Sequence, residues 1–194
     1  MRIARSRFAL LVALFAGLGA SALGLKALAR VGIHQGYAPP QPIAFSHKLH
    51  AGESQIPCLY CHFGATRSRH AGIPPVNVCM NCHGLLQKRS RDIEILKESV
   101  QQGRAIAWTK VHSLPDFVYF NHSQHVLGRV ACQACHGPVE SMERVRQEAP
   151  LSMGWCLDCH RRRAAAAQSE TRQANAGRSM SDHAPSTDCG RCHY

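Results

Sequence analysis

Large aromatic side chains are scarce in this chain: Phe, Trp and Tyr together make up 6% of 194 residues. An ordinary core of such side chains is not expected, so something else has to fill the interior. Acidic residues are also few, 12 against 23 Lys and Arg, which leaves a formal net charge of +11. The basic residues form no aromatic-interleaved stripe and match no nucleic-acid reader motif, so no nucleic acid is expected as a partner. No cysteine stands outside a Cys-x-x-Cys pair, which leaves none over for a disulfide. There is one long apolar run, Phe8 to Leu25.

What is present in excess is cysteine and histidine, 10 and 13 residues. The cysteines are Cys58, Cys61, Cys79, Cys82, Cys132, Cys135, Cys156, Cys159, Cys189 and Cys192, and each pair is followed at once by His: CLYCH, CMNCH, CQACH, CLDCH and CGRCH. Cys-x-x-Cys-His is the attachment motif of c-type haem. Two thiols at this spacing reach the two vinyl groups of one haem, and the next residue lies under the iron as an axial ligand. The proximal ligands are then His62, His83, His136, His160 and His193, and five covalent haem c groups are expected. Zinc ribbons or a disulfide scaffold leave the five histidines unexplained. Haem propionates also account for much of the basic excess; the remainder would face acidic partners or lipid headgroups.

The N-terminus carries Arg2, Arg5 and Arg7 ahead of the apolar run. A run of 18 residues is at the short end of a membrane span. Basic residues before it keep the N-terminus in the cytoplasm, so all that follows is exported. A cleaved signal peptide is the alternative, with "ASA" at 20–22 or "ALA" at 27–29 as the cleavage site. A retained anchor is favoured, because the run is long for a signal and Gly17, Gly19, Ala20 and Gly24 suit helix packing in a membrane. The expected organisation is a basic cytoplasmic tail (1–7), an anchor (8–29) and a linker (30–42).

Beyond the linker an internal repeat appears. "FSHKLH" at 45–50 returns as "FNHSQH" at 120–125, CLYCH at 58 as CQACH at 132, and CMNCH at 79 as CLDCH at 156, with offsets of 75, 74 and 77. Nearly equal offsets indicate a duplicated two-haem module. The modules are placed at 43–87 and 117–163, joined by a helix and loop at 88–116. A low-complexity segment (164–188), solvated helix or loose linker, precedes the fifth motif at 189–194. Ile93, Leu96 and Val100 at three and four spacing predict a helix that stops at Gly103. "FVYF" at 117–120 is either a short strand or extended chain against a porphyrin. The expected fold is a haem-dominated multihaem cytochrome c: mostly coil with short α-helices, little β, and one N-terminal transmembrane helix.

Eight histidines lie outside the attachment motifs: His34, His47, His50, His70, His112, His122, His125 and His183. Residues three apart on a helical turn share a face, with Cβ atoms about 5–6 Å apart. Such a pair cannot grip one haem from both sides, so each member serves a different haem. His47 and His50 are assigned as distal ligands of the haems at 58 and 79, and His122 and His125 of those at 132 and 156. The fifth haem needs a ligand from His70, His112, Met153, Met142 or His183. A Met ligand would raise its potential relative to His. His34 is expected at the surface.

On "FSHKLHAG", "SRHAGIPPVNVCMNCH", "KVHSLPDFVYFNHSQHV" and "MGWCLDCHR", residues 43–163 resemble the membrane-anchored pentahaem cytochrome c subunit of alternative complex III, a bacterial quinol:electron-acceptor oxidoreductase. The His-x-x-His arrangement is also similar to the class III multihaem cytochromes. The resemblance implies an electron carrier with no catalytic residues of its own. It would receive electrons from an iron–sulfur subunit and pass them to a monohaem cytochrome c or a terminal oxidase. The anchor would pack with polytopic subunits in the bacterial inner membrane, and the haem domain would face the periplasm. Two other functions compete: an independent membrane-anchored quinol dehydrogenase, and a multihaem reductase such as a nitrite reductase. A reductase needs an open iron position, yet the spare ligands outnumber the irons and every motif keeps its His.

Overall fold

A computed structural model describes residues 2–28, 31–86, 90–173 and 185–193. The chain divides into two units, Met1–Ile33 and His34–Tyr194. The first is dominated by α1 (Arg2–Leu28). Its stretch Leu10–Leu28 is long and apolar enough to cross a membrane. Phe8, Leu11, Phe15, Leu18 and Leu25 are all exposed, a surface that suits hydrocarbon better than water.

The second unit has short helices joined by irregular chain. In order they are a π-helical turn (Lys48–Glu53), α2 (Cys58–Cys61), a 3₁₀ turn (Phe63–Thr66), α3 (Val76–His83) and α4 (Arg91–Gln101). Then follow α5 (His122–Leu127), α6 (Gln133–His136), a 3₁₀ turn (Val139–Ser141), α7 (Met153–Gln173) and a last 3₁₀ turn (Cys189–Arg191). Among the described residues there is no strand. The "FVYF" segment makes a single antiparallel bridge, Val118 with His193.

α4 starts where Ser90 caps it, accepting from Ile93 N at 3.3 Å, with Asp92 and Glu94 in the first turn. It ends just before Gly103, whose φ of 62° few other residues adopt. Ile93 and Leu96 pack on Ile43, with Val76, Cys79, Ile106 and Trp108 around them. Val100, expected on the same stripe, is 43% exposed, because the helix packs only through its first two turns. α7 runs unbroken from the attachment motif through Ala164–Ala167 to Gln173. Alanine is the strongest helix former, so the helix crosses the expected module boundary at 163 and enters the segment read as helix or linker. Residues 174–184, including His183, lie outside the described residues.

The protein interior is thin. Among the described residues the buried hydrophobics are Ile43, Ala65, Ile93, Leu96, Val111, Met142 and Ala149. Gln147 is buried and fully engaged: its N–H donates to Tyr37 O, its Nε2 to Ala149 O, and its Oε1 accepts from Ser113 N. Its hydrogen bonds tie the 36–37 segment and the 113 region to the second module.

Candidate functional site: paired histidines beside the thiol pairs

All ten cysteines are free of disulfides. Each Cys-x-x-Cys pair sits in or beside a single helical turn: α2, α3, α6, α7 and the last 3₁₀ turn. Among the described residues no three His, Cys, Asp or Glu side chains converge as a tetrahedral metal site requires.

The distal histidines are placed opposite the motif histidines in four pairs. His47 faces His62 with ring centres 6.5 Å apart and planes 7° off parallel. His50 faces His83 at 6.1 Å and 57°. In the second module His122 faces His136 at 6.3 Å and 11°, and His125 faces His160 at 6.1 Å and 46°. A histidine–metal bond is about 2.0 Å. With roughly 1.1 Å from ligand nitrogen to ring centre, two imidazoles on opposite sides of one metal would have their centres about 6.2 Å apart. The four separations match that span.

The ring nitrogens agree with this. Nδ1 of His62 donates to Gly72 O (2.7 Å), of His50 to Ser46 O (2.8 Å), of His122 to Arg69 O (2.9 Å) and of His125 to Asn121 O (2.8 Å). Nδ1 of His160 donates to Ser186 O (2.6 Å) and of His193 to Phe117 O (3.2 Å). A carbonyl only accepts, so each of these rings carries its proton on Nδ1 and leaves the Nε2 lone pair for a metal. Burial holds His47 and His136 neutral, with pKa values lowered to about 4. His47 Nδ1 is buried without a hydrogen-bond partner. The residues present therefore fit haem iron held between two imidazoles and covalently attached through the thiols.

Both members of each His-x-x-His pair ride on one turn, the π turn that His47 caps and α5 that opens on His122. An aromatic residue fixes each turn. Phe45 stacks on His50 (4.3 Å, 21°) and meets His47 edge-on (4.9 Å, 83°). Phe120 does the same to His125 (4.5 Å, 33°) and His122 (4.8 Å, 86°). The attachment spacing does not single out either aromatic, although each begins a repeated "F-x-H-x-x-H" string.

The remaining candidates are spread out. His112 Nε2 lies 3.1 Å from His136 Nδ1, with ring centres 4.4 Å apart, so it meets the motif histidine from behind. Met142 is 3% exposed and packs in the interior, while Met153 opens α7 and is 65% exposed. His70 is exposed and follows Arg69, whose guanidinium lies 4.1 Å over the Tyr119 ring. Tyr119 N–H in turn donates to Cys192 O at 2.7 Å, in the fifth motif. His34 is exposed beside Tyr37.

Sequence comparison fits this geometry. Residues 118–194 match the family described as cytochrome c7 and related cytochrome c. The chain therefore carries a helix-rich multihaem cytochrome c domain of electron transport. It is also similar to the multiheme cytochrome c subunit of menaquinone reductase from Nitratidesulfovibrio vulgaris, 33% identical over 97 residues. That stretch is 50% of this chain and 45% of the relative, so the chain spans less than half the length of the relative it matches.

Proposed function

We propose that this chain is the membrane-anchored electron-transfer subunit of a respiratory quinol-oxidising complex of the alternative complex III type, carrying five c-type haems. The observation that carries this reading is the four histidine pairs at iron-bridging separation, each beside a Cys-x-x-Cys turn. Haem held by these histidine pairs and the Cys-x-x-Cys thiols would supply one-electron transfer. The polypeptide's part is to attach, orient and bury the groups. Phe45 and Phe120 fix the distal rings, backbone carbonyls fix the tautomers, and the thin protein core leaves the middle to the porphyrins.

His70 is the proposed distal ligand of the fifth haem. Its neighbour Arg69 reaches the fifth motif through Tyr119, whereas His112 is engaged by His136 and Met142 is buried elsewhere. Arg69 Nε, buried without a partner, suits a propionate. The two dihaem modules, 43–87 and 117–163, and the fifth motif would lie on the periplasmic side of the bacterial inner membrane, held by α1. An iron–sulfur subunit would deliver electrons, a monohaem cytochrome c or terminal oxidase would accept them, and polytopic subunits would pack on the anchor.

The relative from menaquinone reductase favours a second direction, in which the complex delivers electrons to a quinone. Purification of the chain from its membrane separates the readings. Co-purification with iron–sulfur and polytopic subunits, together with quinol-dependent reduction of the haems, supports the first. Haem reduction by quinol in the isolated chain would instead mark an independent quinol dehydrogenase. Carbon monoxide binding to a resting high-spin haem would mark a reductase.

A further inference from the structure

We infer that the five attachment motifs stand in single file in the order 79–58–132–156–189, with the two duplicated modules joined through their first motifs. This rests on the five-haem reading above.

The contacts run one link at a time. Motifs 79 and 58 meet where Asn81 Nδ2 donates to the Tyr60 hydroxyl at 3.0 Å, and their distal ligands share the turn that carries His47 and His50. Motifs 58 and 132 meet through two contacts between the modules. The chain just past His62 packs on α5, where His122 donates from both its N–H and its Nδ1 to Arg69 O. The π turn of the first module also packs on the 3₁₀ turn Val139–Ser141, just past His136. Motifs 132 and 156 share α5, through His122 and His125. Motif 189 joins at the far end: Tyr119 N–H donates to Cys192 O beside Phe120, which stacks on His125, and His160 donates to Ser186 O.

The ring angles are also symmetric about the 58–132 junction. The inner pairs are near parallel, at 7° and 11°, and the outer pairs are tilted, at 57° and 46°. A duplicated unit that meets its copy head to head gives this outer–inner–inner–outer pattern, and the fifth motif then extends one end.

The test removes the end of the file. The Cys189→Ser/Cys192→Ser variant, in the otherwise complete haem-loaded chain, should lose one haem by mass. In a redox titration followed by electron paramagnetic resonance, one of the remaining four haems should shift in potential, and it should belong to the tilted-ligand class. A shift confined to the near-parallel class overturns the order. Should the variant not assemble, electron microscopy of the unmodified haem-loaded protein reads the neighbours directly, and iron at motif 79 adjacent to iron at 156 or 189 overturns the file. Fewer than five haems in the intact mass of the unmodified chain overturns the five-haem reading and the file with it. Five haems in a different adjacency overturn the file alone.

Discussion

His47 and His62 face one another with ring centres 6.5 Å apart and planes 7° from parallel, while three residues further on His50 faces His83 at 57°. One turn of backbone thus presents two histidines to two different motif histidines, at two different ring angles.

Substitution of these two residues should affect different haems. His47→Ala is expected to turn one haem high-spin and to remove one signal of the near-parallel class; His50→Ala should remove one of the tilted class. Resonance spectra of the two purified variants decide this. Loss of the same signal in both would mean that the pair serves one haem.

The unmodified protein should show two classes of low-spin ferric haem among the four paired sites, in equal numbers, because the angle between the axial ring planes sets the rhombicity of the iron signal. The inner pairs (7° and 11°) form one class and the outer pairs (57° and 46°) the other. A single uniform class across all four would contradict the ring angles.

His112 is expected to act through His136 rather than on an iron of its own. When His136 Nε2 holds iron its Nδ1 carries the proton, so His112 Nε2, 3.1 Å away, accepts from it. An acceptor behind a ligating imidazole makes that ligand more basic and favours the oxidised metal. His112→Phe should therefore raise the potential of one near-parallel haem. The shift should be roughly 40 mV, the one-electron equivalent of a hydrogen bond worth about 1 kcal/mol. The spin state should not change. Appearance of a high-spin haem would make His112 a ligand instead.

Gly52 lies against the backbone of Glu140, where the first module's π turn meets the chain beyond His136. An added Cβ would collide with the Glu140 carbonyl, and backbone yields less easily than a side-chain tip. Gly52→Ala is expected to cost about 1–3 kcal/mol. Thermal melts of the haem-loaded protein measure it, and an unchanged melting temperature would mean that the two modules do not press together here.

Replacing residues 1–33 with a cleavable export signal should release a soluble haem protein with unaltered spectra, since the unit from His34 onward has its own contacts. Mass measurement of the native chain should still include the apolar stretch of α1. A native mass lacking it would identify that stretch as a cleaved signal.

Much of the site was legible in the sequence because covalent chemistry writes itself as spacing. Cys-x-x-Cys-His fixes thiols and ligand within one turn whatever the rest of the chain does, and the repeat offset matched each His-x-x-His to its motifs. The turn geometry already implied that one pair divides between two haems. Other features were not written that way. The 43% exposure of Val100 depends on how far α4 packs before the chain turns away, which periodicity does not encode. The helix through 164–173 followed from alanine content, yet composition alone left a loose linker open. His112 stands 24 residues from His136, and no spacing rule connects them.

By itself, the sequence determined the attachment motifs and hence the kind of cofactor, the internal repeat and the apolar segment at the N-terminus, because each follows from residue identity at short range. Tertiary structure alone decided the ring angle at which the paired histidines face one another and which motifs touch. Those depend on contacts between segments more than 50 residues apart, such as His122–Ser123 with Ser68–Arg69, where chain folding rather than local spacing sets the distance.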